Sequence, residues 1–499
     1  MLQSIPGGRT TLRESGGSTD SGARRELSLL DGLRAIPSRV ARSHQVIPLR
    51  YEGERLIAGA RDPRSQRTLD TLRRLGHRDV AVEPLSAQRY QEVMEKWYGP
   101  TGAVAEYVAG LSPTSPAEPG LKAGESIEAT PAPRFLELTL QAALAEGASD
   151  VHVEPDPRSP RVRFRVDGIL VDRVSPPAWL VGRVIGRIKA LAGLALGECL
   201  FAQDGVFDFP TAKGSVSVRV SILPCLRGEA VVLRLLTGED DIPSLAALGV
   251  PEDLSRKLVS FASAPEGLIV FAGPTGSGKT TTLHALLHTV DASRRNVISI
   301  EEPVEIRSRR LRQVPVRRES GLDFAGALRY VLRQDPDVIL VGETRDTETA
   351  QLVVQAALAG HLVFTTVHAS SALAAFDRFT QLGADRALLA QVTRLTVSQR
   401  LLRRICPHCQ GAACFACEGT GLKGRTGLYE VAAMHPRLAG LVRQGAAQSE
   451  LRQAAREHGF RSLLELARDL VRRGVTTEGE VARVLDVEAL EALDAGGAG

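Results

Sequence analysis

Two stretches of this chain carry residue types at spacings that can do chemistry. The first is GPTGSGKT at 273–280, which fits the pattern G-x-x-x-x-G-K-[ST]. Gly273, Gly276 and Gly278 let the backbone curl, so that N–H groups of the loop, which also holds Pro274, Thr275 and Ser277, point at phosphate oxygens. Lys279 can bridge the β and γ phosphates of a nucleoside triphosphate, and the Thr280 hydroxyl can ligate Mg²⁺. The context fits as well: LIVFA reads as an apolar strand before the loop, and TTLHALLHTV, beginning at Thr281 right after Thr280, as a helix whose positive end faces an anion. A Gly-rich turn that matches by chance would need none of this. The second stretch is CPHCQGAACFAC at 406–417, with Cys406, Cys409, Cys414 and Cys417 in the spacing C-x2-C-x4-C-x2-C. Two CxxC hairpins suit tetrahedral Zn²⁺, and four thiolates leave no open position, so the expected site is structural rather than catalytic. Disulfides or free thiols are the other reading, one that a reducing compartment disfavours. His408 falls between ligands and is expected at the surface.

Further candidates sit where apolar runs end. DPDVILVGE (335–343) closes four consecutive apolar residues, Val338 to Val341, with Glu343 beyond them. That places an acid at the carboxyl end of a sheet, where open α/β sheets bind ligands. VISIEEPVE (297–305) supplies Glu301, Glu302 and Glu305, any of which can orient or deprotonate water near a γ-phosphate. HLVFTTVH (361–368) ends in His368, a possible donor to the same phosphate. Taken singly, each has a plainer reading: a solvated strand-end carboxylate, a charged loop, a structural histidine.

The elements that must position these groups can be read along the chain. Its 499 residues suggest roughly three domains. With 62 basic against 58 acidic residues, the net charge of +4 is too balanced to point to nucleic acid by itself. No apolar run approaches the roughly 20 residues of a membrane span, and the first residues lack the apolar core of a secretory signal, so a cytoplasmic protein is expected. Residues 1–24, rich in Gly, Ser, Thr and Arg, read as a disordered tail. Residues 25–99 read as a small α/β module, with two strands around the Glu-Gly turn of VIPLRYEGERLIAGARDP and helices ended by Gly76 and Gly99. Residues 100–132, rich in Pro, Gly, Ala and Ser, read as a linker. FLELTLQAALAEGASD (135–150) opens a second folded region with an amphipathic helix. In RVRFRVDGIL, Arg161, Arg163 and Arg165 alternate with Val162, Phe164 and Val166, and in SVSVRVSIL Arg219 opposes Val216, Val218 and Val220. Period two predicts a half-buried, antiparallel sheet. From about 245 onward apolar strands alternate with helices, the pattern of a mainly parallel sheet. After the cysteines, 431–499 reads as helical.

Taken in order, GPTGSGKTTTL (273–283), IEEPVE (300–305), LRQDPDVILVGETRDTETA (332–350) and GHLVFTTVHASSA (360–372) resemble the secretion ATPases of type II secretion and type IV pilus assembly. ASDVHVEP (148–155) and RVRFRVDG (161–168) look like that family's second domain, and the match weakens over 36–98. The resemblance implies an α/β multidomain chain: an N-terminal docking module (25–99), a PAS-like α+β domain (133–240), a RecA-like P-loop ATPase core (241–405), a zinc-binding subdomain (406–430) and a helical C-terminal region (431–499). It implies ATP, Mg²⁺ and Zn²⁺ as ligands, Glu301 as the water-activating acid, Glu343 as the acid of the second phosphate motif, and His361 and His368 as sensing histidines. It also implies a homo-hexamer in which arginines of an adjoining subunit approach the nucleotide. The matching candidates are Arg165, Arg219, Arg329 and Arg333, the last two four residues apart on one expected helix face. Two positions depart from the family: Glu302 stands where an Asp is usual, and GECLFAQDG (197–205) has no arginine where a basic stretch is frequent. The tetracysteine followed by GTGLKGRTGLYE (419–430) looks like the assembly branch rather than the retraction branch. Residues 25–60 show no paired Arg/Leu/Gly-rich nucleotide motif, so the first module is expected to dock an inner-membrane platform protein rather than bind cyclic di-GMP.

Three functions are thereby open. The first is an ATP-hydrolysing motor for pilin or pseudopilin assembly, and the second a nucleic-acid translocase on the same core. The third is a nucleotide-binding scaffold without turnover, which intact Lys279, Glu301 and Glu343 argue against. The translocase lacks an aromatic stacking platform, with aromatics only 4% of the chain, and no nucleic-acid partner is expected.

Overall fold

The computed structural model describes residues 24–26, 35–36, 38–77, 79–111, 130–212, 214–236, 238–239, 242–317, 321–412, 414 and 417–487. The tail expected over 1–24 lies outside these but for Arg24, as does most of the expected linker. The chain forms two compact units, 1–117 with 134–142, and 118–133 with 143–499.

The first unit carries a four-stranded sheet in the order β1 (Arg24–Glu26), β2 (Val46–Glu52), β3 (Arg55–Ala60), β4 (Val80–Pro84). Gly53, at φ 62°, makes the turn between β2 and β3 where the Glu-Gly pair predicts it. Helices α1 (Ser38–His44), α2 (Gln66–Arg74) and α3 (Ala87–Tyr98) accompany the sheet. Residues read as the start of the linker instead form α4 (Pro100–Gly110), with Gly99 as N-cap and Pro100 at the first helical position. Val104, Ala105 and Val108 are buried on it. Its sequence is apolar on nearly every side, so it lacks the amphipathic period that reveals a surface helix. Residues 134–142 of the next helix, α5 (Ala132–Ala145), group with this unit rather than with the PAS-like region they were expected to open.

The second unit holds two sheets. One is six-stranded and wholly antiparallel, in the order β7 (Ile169–Val174), β6 (Arg161–Val166), β5 (Asp150–Glu154), β10 (Gly228–Leu235), β9 (Gly214–Cys225), β8 (Gln203–Thr211). Helix α6 (Ala178–Leu191) belongs to this region. The period-two reading holds here, since Val162, Phe164, Val218 and Val220 are buried while Arg161 is exposed. Next along the chain comes helix α7 (Glu252–Ala262), ahead of a seven-stranded sheet. Its order is β13 (Arg312–Pro315), β12 (Val297–Glu301), β14 (Val338–Val341), β15 (Leu362–Val367), β11 (Gly267–Ala272), β16 (Thr393–Ile405), β17 (Leu422–Ala433). All neighbours are parallel except β16 and β17.

Most buried residues against this sheet fall in two clusters, one on each of its faces. Leu268, Val270, Ile298 and Val363 belong to one, and the alternating Ile269, Phe271, Leu340 and Phe364 to the other. Helix α8 (Lys279–Leu287) lies in the second cluster with α7, and α9 (Phe324–Val331), α10 (Thr347–Leu358), α11 (Ala374–Gln381) and α12 (Arg386–Val392) in the first. Asp323, Asp346 and Asp385 cap α9, α10 and α12 by accepting backbone N–H bonds. Four helices follow, α13 (Pro436–Gln444), α14 (Gln448–Arg456), α15 (Leu463–Arg472) and α16 (Glu478–Val484), as the sequence leads one to expect. No helix among the described residues is long and apolar enough to cross a membrane.

Candidate nucleotide and metal sites

Because β12, β14, β15 and β11 run parallel, their carboxyl ends share one edge of the sheet, and the groups that follow them meet there. After β11 the loop turns through Gly273, Gly276 and Gly278 at φ 146°, 77° and 85°, values that favour glycine. Room for a side chain is also short at two of these. A Cβ on Gly273 would lie 2.7 Å from the Gln399 carbonyl oxygen, and one on Gly278 would lie 2.9 Å from Gln399 Nε2. This cradle and the start of α8 fit a triphosphate, and Ser277 Oγ is buried there without a protein partner. Thr280 and Thr281 stand half-buried in the first turn of α8.

Lys279 Nζ donates to the carbonyls of Gly273 and Pro274, at 2.8 and 2.9 Å. Burial brings its pKa down to about 8; Glu343 and Glu305 pull it upward, and Arg400 pushes it down. An ammonium is needed to hold phosphate, so nucleotide affinity is expected to fall as pH rises through about 8. The apparent Kd for a fluorescent ATP analogue should grow by about fivefold between pH 8 and 9. A flat profile over that range would show that Lys279 stays charged.

Glu343, just past β14, has His368 Nε2 at 2.9 Å from Oε1 and Arg345 Nη2 at 2.6 Å from Oε2. His368 follows β15, so the structure joins two of the expected groups. His361 is a correction. It precedes β15, and its carbonyl accepts from Gly267 N at the opposite edge of the sheet. A strand of six residues (Leu362–Val367) separates it from His368, a span of about 20 Å. Period and motif alone do not tell at which end of a strand a residue stands; pairing register does.

Glu301 is also placed differently from the expectation. It is the last residue of β12, 4% exposed, and its side chain turns into the core. Oε1 accepts from Ser299 Oγ at 2.6 Å and Gln313 Nε2 at 3.0 Å, and Oε2 lies 3.3 Å from Nε2 of the fully buried His284. Burial opposes its ionisation, but these partners outweigh that and hold its pKa below the usual range. Of the acidic-box carboxylates, Glu305 is the one whose charge bears on Lys279.

The arginines separate. Arg165, at the end of β6, lines a cleft of about 370 Å³ together with P-loop residues 274–277. Its Nη1 donates to the Gly168 carbonyl at 3.2 Å, and its Nε lies 3.7 Å from Asp150. Arg219 sits mid-strand in β9, opposite Val206 and Arg234, and is not among the residues lining that cleft. Arg329 pairs with Glu348 of α10. Helix α9 ends at Val331, so Arg333 lies beyond it rather than on one face with Arg329, and its guanidinium stands 4.9 Å from the Tyr330 ring centre. No local motif marks Arg400, Arg403, Arg425 and Arg483, which line the same cleft. They come from β16, β17 and α16, brought there by the pairing of β11 with β16, the pairing of β16 with β17 and the bonds of Glu480 to Arg403 and Arg483.

The four cysteines converge, with Sγ distances of 3.8 Å for 406–414, 3.7 Å for 409–417 and 3.8 Å for 414–417. Zn–S bonds of about 2.3 Å in a tetrahedron give edges of about 3.8 Å. The donor set thus fits a closed metal site. Burial works to raise the Cys417 pKa, but N–H bonds from Cys414 and Gly421 and the neighbouring thiols bring it down to about 6. His408 is exposed.

The family model for type II/IV secretion system proteins matches residues 125–483, and that for the MshEN domain matches 20–104. Type II secretion system protein HxcR of Pseudomonas aeruginosa is 40% identical over 365 residues, covering 72% of this chain and 78% of that one. The type IV pilus assembly ATPase PilB of the same organism is 33% identical, covering 90% and 85%. Among solved structures, the pilus retraction motor PilT with bound ADP superposes with a TM-score of 0.51 at 25% identity, covering 69% of this chain and 95% of that one. The Legionella pneumophila ATPase DotB, at 21% identity and TM-score 0.57 over 72% of this chain and 96% of its own, shares the fold. With a P-loop, an acidic strand end and a histidine strand end on one edge of a RecA-like sheet, the chain belongs to the type II/IV secretion system protein family of ATP-hydrolysing P-loop ATPases.

Proposed function

We infer that this chain is a homo-hexameric motor that hydrolyses Mg²⁺-ATP to drive assembly of pilin or pseudopilin fibres. It works at the cytoplasmic face of the inner membrane, where residues 25–99 engage a platform protein. The placement of Lys279, Glu343 and His368 at the carboxyl edge of one parallel sheet, with Glu343 and His368 2.9 Å apart, carries the reading, and the charge of Glu305 bears on Lys279. Lys279 holds the β and γ phosphates, and the loop N–H groups take their remaining oxygens. Thr280 and Glu343 would hold Mg²⁺, which would neutralise phosphate charge there. A water oxygen attacks the γ-phosphorus, the bond to the β–γ bridging oxygen breaks, and a carboxylate takes the water proton. ADP and phosphate leave.

Glu305 is the better carboxylate for that proton, because both oxygens of Glu301 are engaged in the core. Glu301 then fixes the acidic-box strand to the P-loop helix. His368, beside Glu343, reports the γ-phosphate, and His361 has no part in phosphate contact. Arg165 stands at the mouth of the cleft, and Arg219, Arg329 and Arg333 are candidates for contacts from a neighbouring subunit. Zn²⁺ is the ion we assign to the four cysteines.

The test is steady-state turnover of the purified full chain with Mg²⁺-ATP. Glu305→Gln is expected to lower kcat about a hundredfold with little change in KM. Glu301→Gln should mainly lower thermal stability, by about 1–3 kcal/mol, through the buried partners it leaves unpaired. Reversed effects would return the role to Glu301. Stimulation by DNA, rather than by lipid and platform protein, would favour the translocase.

A further inference from the structure

Glu480, on α16, is almost fully buried and gathers two arginines at the P-loop cleft. Its Oε1 accepts from Arg403 N at 2.9 Å and Arg483 Nη2 at 2.6 Å. Its Oε2 accepts from Arg403 Nε and Nη2 at 3.0 and 2.8 Å and from Arg483 Nε at 2.8 Å. Thr477 Oγ1 caps the helix that carries it. Burial opposes the charge on Glu480, yet these donors hold its pKa down to about 2.

The arrangement has two consequences. One carboxylate cancels one of the two guanidinium charges, so the trio is a weak phosphate clamp. Both guanidiniums also spend their Nε and Nη2 edge on Glu480, which fixes their planes. Beside them, Leu401 and Val484 add apolar surface to a cleft whose other wall is P-loop residues 274–277. Fixed guanidinium planes next to apolar side chains suit a flat heteroaromatic ring. The triphosphate itself is served by the loop and the start of α8.

We propose that the C-terminal helix completes the nucleotide site, with Arg483 and Val484 forming the wall that receives the purine base. This rests on the reading that the cleft binds ATP, and it makes 478–485 part of the binding machinery rather than a packing appendage. The base-side wall would then link nucleotide occupancy to the C-terminal helices.

Affinities of the full chain for Mg²⁺-ATP and for Mg²⁺-tripolyphosphate, measured by calorimetry, test it. Arg483 is half-exposed, so its replacement need not disturb folding. Arg483→Ala is expected to weaken ATP about tenfold and leave tripolyphosphate unchanged. Arg483→Lys, which keeps the charge and loses the plane, should match it, and Val484→Asp should weaken ATP selectively as well. Unchanged ATP affinity in Arg483→Ala, full affinity in Arg483→Lys, or an equal loss for both ligands would overturn the assignment. Lys279→Ala should weaken both ligands. If it weakens neither, the nucleotide reading of the cleft fails independently of Arg483.

Discussion

Lys279→Ala is expected to remove ATP turnover altogether, a fall of at least about a thousandfold. Loss of a single preorganised group that faces developing charge costs ~10²–10³ in rate. Lys279 has a second task that adds to this, since its ammonium ties the carbonyls of Gly273 and Pro274 and so holds the curl of the loop. The methyl of alanine satisfies neither carbonyl and neutralises no phosphate. Phosphate release by the full chain, followed with a coupled assay at saturating Mg²⁺-ATP, is the measurement. A companion variant separates binding from chemistry: Glu343→Gln keeps the loop and should bind ATP while releasing little phosphate, because the amide cannot carry the charge that Mg²⁺ and His368 face. Turnover by Lys279→Ala within tenfold of the parent chain would end the assignment of the P-loop as the hydrolytic centre.

The reach of the sequence in this chain follows a physical divide. Groups fixed by local geometry could be read: the P-loop glycines, whose positive φ angles belong to a strand–turn–helix unit, and Glu343 and His368, which follow apolar runs that can only be buried parallel strands. The same holds for the alternation of Arg161, Arg163 and Arg165 with Val162 and Phe164. Groups whose role depends on which side of a strand end they leave could not. Glu301, Glu302 and Glu305 lie within five residues, and nothing local says that the first turns into the core towards His284 and Ser299 while the field of the third reaches Lys279. His361 and His368 bracket one strand, and only register tells which end faces the P-loop. The cleft arginines are the extreme case. Arg483 lies far along the chain from Gly273, and its place depends on Glu480 meeting Arg403 of β16. Strand β16 itself is hard to see, because TRLTVSQRLLRRI mixes apolar and basic residues without clear alternation and runs past the sheet edge to the cysteines. Helix α4 is hard to see for the complementary reason, an almost uniformly apolar surface with no polar stripe.

Removing the metal from the tetracysteine loop is expected to open residues 404–424 while leaving the rest of the second unit folded. The ladder of β16 and β17 runs from Leu395–Ala433 to Arg403–Arg425 and has its own hydrogen bonds, so it survives. Beyond it only Ile405–Leu422 pairs, and the loop depends on the cysteines for its closure. The loop in turn contacts the antiparallel sheet. Arg173 holds Glu418 through two bonds of 3.0 and 2.7 Å while its Nε bonds Glu146 at 2.7 Å, and Asp167 accepts from Gly424 N at 2.7 Å. Asp167 also faces Arg425 of the nucleotide cleft at 3.6 Å, so opening the loop should loosen one wall of that cleft. Limited trypsinolysis is the measurement, with Arg404 and Lys423 as scissile positions. Cleavage there tracks the population of the open loop, and losing about 3 kcal/mol of closure would raise it about a hundredfold in Cys417→Ser or after chelation. The parent chain should carry Zn²⁺ at one ion per chain, and ATP affinity should fall modestly when the ion is lost. Metal analysis showing no zinc in the parent chain would remove the ion from the account. Unchanged cleavage after its loss would remove the staple, and the contacts of Glu418 with Arg173 and of Gly424 N with Asp167 would then hold the loop.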